Sequence, residues 1–296
     1  MKIAVTGASG LIGSAVVRAA SDAGHEVLTL VRREPRTPSE VSWDPAGGKL
    51  DPASLDGVDG VVHLAGAGVG DHRWTPEYKR TIRDSRVLGT RTLVTALAAL
   101  DGPAPVLVSG SAIGVYGDRG DEDLTEDSEP GTGFLADVVK DWEAEAARAS
   151  EAGSRVVMAR TGLVVSPKGG AFGRLLPLVR LGLGGPLGSG RQWWSWITLV
   201  DEVAALLHLL EHPVEGPVNL TAPSPARNVD LVRALAEAAH RPALVPAPAF
   251  ALRAALGEFA DDILSSQKVL PKRLLGAGFA FSHPQPADAA HWVLDS

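Results

Sequence analysis

The segment Thr6-Gly7-Ala8-Ser9-Gly10-Leu11-Ile12-Gly13 constrains this chain more than any other. It follows a short apolar run and opens a stretch with helical spacing. Glycines at 7, 10 and 13 in that setting predict a tight turn that feeds a helix N-terminus toward a phosphate group. Gly7 permits the turn, Gly10 leaves room for a pyrophosphate, and Gly13 lets the helix pack against the strand. The helix start then offers unpaired N–H groups and a partial positive charge to an anion.

Strand-like runs recur at 2–6, 26–31, 60–64, 106–109 and 154–160, with a later one at 217–220. They are short, nearly continuous and rich in Val, Ile and Leu, as strands buried on both faces should be. Helical patterns lie between and after them, at 11–23, 76–100, 133–152, 229–239 and 250–256. In 133–152 the charged residues, Lys140 among them, fall on one side, and Val138, Val139, Trp142 and Ala146 on another. This alternation predicts an α/β fold: a doubly wound parallel sheet with a smaller C-terminal α/β lobe. Prolines become frequent after residue 220, so the expected division is 1–220 for the dinucleotide-binding domain and 221–296 for the lobe. The acidic stretch 118–130 follows a strand end and is expected to be a solvated loop or a flap over a site.

Composition excludes several function classes. The formal net charge of −7 argues against general binding to nucleic acid or to an anionic membrane. With no cysteine there are no disulfides, thiolate metal sites or cysteine nucleophiles. No targeting segment or membrane span is evident, and a cytoplasmic location is expected. No metal site is expected. His63 has no ligand partner at useful spacing and is expected to be a packed strand histidine.

The second strand-like run ends Leu30-Val31-Arg32-Arg33. An NAD site would place a carboxylate near here for the ribose 2′-hydroxyl. Two guanidinium groups suit a 2′-phosphate instead, so the expected cofactor is NADP(H).

The T-G-x-x-G-x-x-G spacing, with His63-Leu64-Ala65-Gly66 at the next strand end, resembles the extended short-chain dehydrogenase/reductase superfamily. The resemblance implies a cofactor-contacting set of Gly7, Ser9, Gly10, Leu11, Ile12, Gly13, Arg32, Arg33, Leu64, Ala65, Gly66, Arg86 and Lys140. Members use a Tyr-x-x-x-Lys pair with a Ser and usually an Asn. A phenol near pKa 10 needs a nearby cation to work at neutral pH. Neither tyrosine here, Tyr78 or Tyr116, is followed four residues later by a lysine. Matching the family motif puts Lys140 at the lysine, Ala136 at the tyrosine, Arg86 at the asparagine and Ser111 at the serine. Ser111 and Lys140 are thus the expected catalytic residues. Water, the cofactor ribose or Tyr116 remain as proton sources.

Two later segments extend the resemblance. Residues 188–203 resemble G-D-G-x-Q-x-R-D-F-I-H-V-D-D, with Trp194 at the arginine and Ser195 at the aspartate. The basic clamp for a nucleotide-sugar diphosphate is thereby altered. The tryptophans at 193, 194 and 196 could form a stacking platform or could be core. Residues 263–281 resemble the S-Q-R-V-x-P-x-x-L ending of the atypical epimerase-family proteins. Without that resemblance they predict a basic amphipathic helix, a turn and a strand, with Lys268, Lys272 and Arg273 on a solvated face. The expected function is therefore an NADP(H)-binding oxidoreductase or epimerase-like enzyme acting on a small molecule. The alternative is a non-catalytic NADP(H)-binding or sensing protein. A homodimer through the helices at 76–100 and 133–152 is the superfamily's habit.

Overall fold

The computed structural model describes residues 1–243 and 245–295. Its strands are β1 (Lys2–Thr6), β2 (Glu26–Val31), β3 (Glu40–Ser42), β4 (Gly60–His63), β5 (Val106–Ala112), β6 (Asp123–Leu124), β7 (Val156–Thr161), β8 (Leu163–Val165), β9 (Trp193–Trp194), β10 (Trp196–Thr198), β11 (Gly216–Leu220), β12 (Ala226–Arg227) and β13 (Lys268–Val269). The helices are α1 (Leu11–Asp22), α2 (Pro76–Ala98), α3 (Phe134–Ala147), α4 (Gly170–Arg180), α5 (Leu199–Glu211), α6 (Asn228–Ala238), α7 (Ala249–Leu256), α8 (Phe259–Leu264), α9 (Lys272–Gly276) and α10 (Pro286–Asp295). Among the described residues no helix is long and apolar enough to cross a membrane.

Seven strands form one parallel sheet in the order β11-β7-β5-β4-β1-β2-β3. Alternate residues of each strand enter opposite layers. Ile3, Val5, Val62, Val108 and Val218 pack beneath α1 and α5, against Val16, Leu206 and Leu209. Ala4, Val61, Leu107 and Val156 pack on the other face, under Leu93, Val94 and Leu97 of α2. Burial on both faces is why these strands are nearly continuous apolar runs. The doubly wound parallel sheet predicted from sequence is present.

The apolar core around the C-terminal helices also takes in residues before 221. It joins Phe172, Leu176 and Val179 of α4 and Trp194 and Trp196 to Leu231 and Leu235 of α6 and Ala289, Ala290 and Val293 of α10. The acidic stretch 118–130 is also not simply solvated. Its centre forms β6, which pairs in parallel with β13, and Leu124 is fully buried. The basic residues expected on a solvated face are its partners: Lys268 meets Asp123 at 2.6 Å, and Lys272 and Arg273 both meet Asp127 at 3.1 Å. The expected helix, turn and strand of this segment appear as strand then helix, β13 before α9.

His63 is a packed strand histidine, as expected. Its Nδ1 is 2.7 Å from the Thr6 hydroxyl and its Nε2 2.9 Å from that of Thr90. The Thr6 oxygen already accepts from the N–H groups of Leu64 and Ala65, so its proton goes to Nδ1 and the ring proton resides on Nε2. Burial pushes this imidazole down to about 4. A group with a depressed folded pKa adds stability above its unfolded value, which is lost as pH falls through the folded one. The advantage of wild type over His63→Gln in urea unfolding is therefore expected to shrink by roughly 2–3 kcal/mol from pH 7 to pH 4. An advantage constant over that window would show that the ring is not held neutral.

Candidate functional site

The glycine turn folds as its spacing requires. Gly7 has φ +68°, and a Cβ there would lie 2.7 Å from the Leu64 carbonyl oxygen. A Cβ on Gly13 would lie 2.2 Å from the Gly7 carbonyl oxygen. Both positions demand glycine, because backbone meets backbone. The result sets the start of α1 against the carboxyl ends of β1 and β4. Gly10 caps α1 with no side-chain hydrogen bond, so the first-turn N–H groups stay open.

A cleft of two joined lobes opens there. The larger, of about 1140 Å³, is lined by Gly7, Ser9, Gly10, Arg32, Arg33, Leu64, Ala65 and Gly66. The smaller, of about 520 Å³, shares Gly7, Gly10, Leu64 and Gly66 and adds Leu11, Ile12, Gly13, Arg86 and Ser111. Every residue expected at the cofactor therefore lines the cleft except Lys140. Arg33 is tied to Glu40 through two hydrogen bonds of 2.8 and 2.6 Å, and this pairing holds the Glu40 carboxyl down at about 2. Arg32 is exposed and has no ion pair among the described residues, so it is the guanidinium left to a ligand.

Lys140 corrects the expectation from the motif. Its side chain is 41% exposed and pairs with Asp137 at 2.6 Å. It lines neither lobe. The cleft side of α3 consists of Leu135, Val138, Val139 and Trp142. At about 100° per residue Lys140 falls past that stripe, on the charged side. The spacing from Ala136 to Lys140 matches the family motif, but the helix turns both away from the lobe.

The cation at the lobe is Arg86. Its guanidinium lies 5.2 Å from the Trp142 ring centroid and donates to the carbonyls of Ala67 and Ile82 at 2.9 and 3.0 Å. Burial pushes it down to about 10. Gly66 and Gly110 make room, since a Cβ on either would sit within 3.2 Å of Arg86 or 3.0 Å of Trp142.

Ser111 does reach the lobe. Its hydroxyl donates to Glu143 Oε1 at 2.5 Å. Arg160 grips the same carboxylate with two bonds of 2.8 and 2.9 Å and donates to the Tyr116 hydroxyl at 2.9 Å. The Tyr116 hydroxyl donates to Asn219 Oδ1 at 2.7 Å, and Asn219 Nδ2 donates to the Leu270 carbonyl. Tyr116 is fully buried and lines neither lobe, which removes it as the proton source. Sequence reasoning missed Glu143 and the role of Arg160. One signal was available: a charged residue inside a strand buried on both faces needs a partner.

The tryptophans divide as core and rim. Trp194 and Trp196 are buried, and their indole N–H groups donate to the carbonyls of Ile263 and Ser224. Trp193 lies between Arg227 and Lys268, 4.6 and 4.9 Å from its ring centroid. Ser195 is fully buried; it donates to the Gln267 carbonyl and accepts from the Val269 N–H, both at 2.8 Å. The S-Q-x-V segment is thus stitched to the β9–β10 junction.

The model of the NAD dependent epimerase/dehydratase family matches residues 3–221. The chain belongs to this NAD(P)-binding family, part of the extended short-chain dehydrogenase/reductases. A domain of unknown function, DUF1731, matches residues 247–293. The chain is 45% identical over 283 residues to the epimerase family protein Mb2239 of Mycobacterium bovis, covering 95% of this chain and 93% of that one. It is 37% identical to the epimerase family protein SDR39U1 of Bos taurus, over 99% of this chain and all of that one. The crystal structure of human SDR39U1 (isoform 2) with NADPH superposes at a TM-score of 0.93, with 32% identity and full coverage of both chains. A UDP-galactose 4-epimerase, 19% identical with a TM-score of 0.72, shares the fold.

Breaking the buried ion pair should be costly. Arg160→Met leaves Glu143 charged and the Tyr116 oxygen without its donor, and is expected to cost about 3–5 kcal/mol in urea unfolding. Lys140→Met removes a surface pair and should stay within about 0.5 kcal/mol of wild type. Equal effects of the two would contradict the placement of these side chains.

Proposed function

We propose that this chain is an NADP(H)-dependent oxidoreductase or epimerase-like enzyme acting on a small molecule in the smaller lobe. One observation carries the reading: the two lobes meet at Gly7, Gly10 and Gly66, beneath the open N-terminus of α1. A dinucleotide's diphosphate fits against those N–H groups, and the Cβ-free backbone of the turn is the cradle it needs. The adenosine end then lies toward Arg32, and the other end enters the lobe with Ser111 and Arg86. The human relative with NADPH supports the choice of cofactor.

When bound, the dinucleotide supplies or accepts a hydride. The chain's own residues exclude water and orient the reactant. Leu135, Val138, Val139 and Trp142 form an apolar wall. Ser111, its proton committed to Glu143, offers lone pairs to a donor on the reactant. Arg86 offers charge to an acceptor. A non-catalytic NADP(H) sensor is the second reading, favoured by the placement of Lys140 outside the cleft.

Calorimetric titration with NADPH and NADH tests the proposal. NADPH is expected to bind at least tenfold more tightly. Arg32→Ala should weaken NADPH about 10–100-fold and leave NADH unchanged, the effect of losing a charge-assisted hydrogen bond. Equal affinities in the wild type would overturn the NADP preference.

A further inference from the structure

The smaller lobe contains a carboxyl to which the reading above gives no task. Asp262 sits on α8, in the C-terminal region, and lines the lobe beside Phe259 and Ile263, with Ser111 and Arg86 in the same lining. The helix is held firmly: Trp194 donates to the Ile263 carbonyl at 3.2 Å and the Ser265 hydroxyl to that of Asp262 at 2.7 Å. The Asp262 carboxyl itself makes no hydrogen bond or ion pair among the described residues. The carboxylates around it are engaged elsewhere. Asp261 pairs with Arg253, Glu258 with Lys79, and Glu143 with Arg160. Half-buried at the lobe wall, Asp262 is pushed up to about 6 by desolvation, within reach of neutral pH. A carboxyl of this kind, free of partners and bordering an apolar chamber, suits proton transfer.

The chamber also limits what can enter. Its wall is mostly aliphatic and aromatic, and Trp194 and Ser195 stand where the family pattern has a charged pair. A nucleotide sugar would have to bury many hydroxyls and a diphosphate here with few partners, each costing on the order of kcal/mol. A small apolar molecule with one polar oxygen buries far fewer polar groups of its own and needs only one donor.

We propose that the lobe takes a small, largely apolar carbonyl compound, and that Asp262 is the acid/base residue that protonates its carbonyl oxygen. The inference rests on the NADP(H) reading. In the reductive direction the C=O π bond breaks, the oxygen takes the Asp262 proton, and the carbon takes the hydride supplied by the reduced dinucleotide. The product is an alcohol, and the carboxylate regains a proton from water. The reverse direction returns each group.

Proton linkage tests this without turnover. Benzamide and cyclohexanecarboxamide are unreactive carbonyl compounds; each is titrated into the NADPH-loaded protein at pH 8, in two buffers of different ionisation enthalpy. If the amide oxygen accepts from a protonated Asp262, binding takes up about one proton. Asp262→Asn, which can donate without ionising, should bind the amides with no uptake, and Asp262→Glu should restore it. Both variants should bind NADPH as wild type does. Binding without uptake, uptake that survives in Asp262→Asn, no amide binding, or binding of UDP-glucose instead would each overturn the proposal. Failure of NADPH itself to bind would overturn the preceding reading, and this one with it.

Discussion

The structure turns on one close approach of backbone to backbone. Gly7 presses on the Leu64 carbonyl and Gly13 on the Gly7 carbonyl, at separations no side chain tolerates. That contact aims the uncapped start of α1 across the ends of β1 and β4. The Thr6–His63–Thr90 chain of hydrogen bonds ties the same strand ends to α2. Together they fix where an anion can sit, and the two lobes of the cleft extend from that point. A polar chain on the far side, from Ser111 through Glu143, Arg160 and Tyr116 to Asn219, links the smaller lobe to the C-terminal segment.

The C-terminal region does more than cover the core. Ser195 binds the backbone at Gln267 and Val269, Gln267 donates to the Gly117 carbonyl, and β13 pairs with β6. The acidic stretch and the basic run, each expected to be solvated, neutralise one another across this seam. The motif that resembles the atypical epimerase-family ending is therefore what closes the second lobe, and it sets α8 beside the apolar chamber.

Much of this was legible in the sequence, for reasons that differ between elements. The sheet was visible because strands buried on both faces are mostly apolar, polar residues entering only where a partner meets them, and β1 and β2 match their apolar runs. The glycine turn was visible because its steric demand is local. Lys140 was misplaced because a spacing of four residues says that two side chains share a helix face, not which face. The segregation of Val138, Val139 and Trp142 from the charged residues held that information. The expected boundary at 220 followed chain composition; the core around the later helices also draws on α4, β9 and β10, packing that composition does not reveal. Asp262 gave no signal, since only tertiary packing half-buries it against the lobe.

Amide hydrogen exchange at residues 9–13 tests the central claim most directly. In the free protein the first-turn N–H groups of α1 have no acceptor within the helix and should exchange quickly. Saturating NADPH should slow exchange at Leu11, Ile12 and Gly13 by an order of magnitude or more, while the exposed outer face of α3 around Lys140 stays unchanged. NADPH that binds without protecting these amides would place the diphosphate elsewhere and contradict the account.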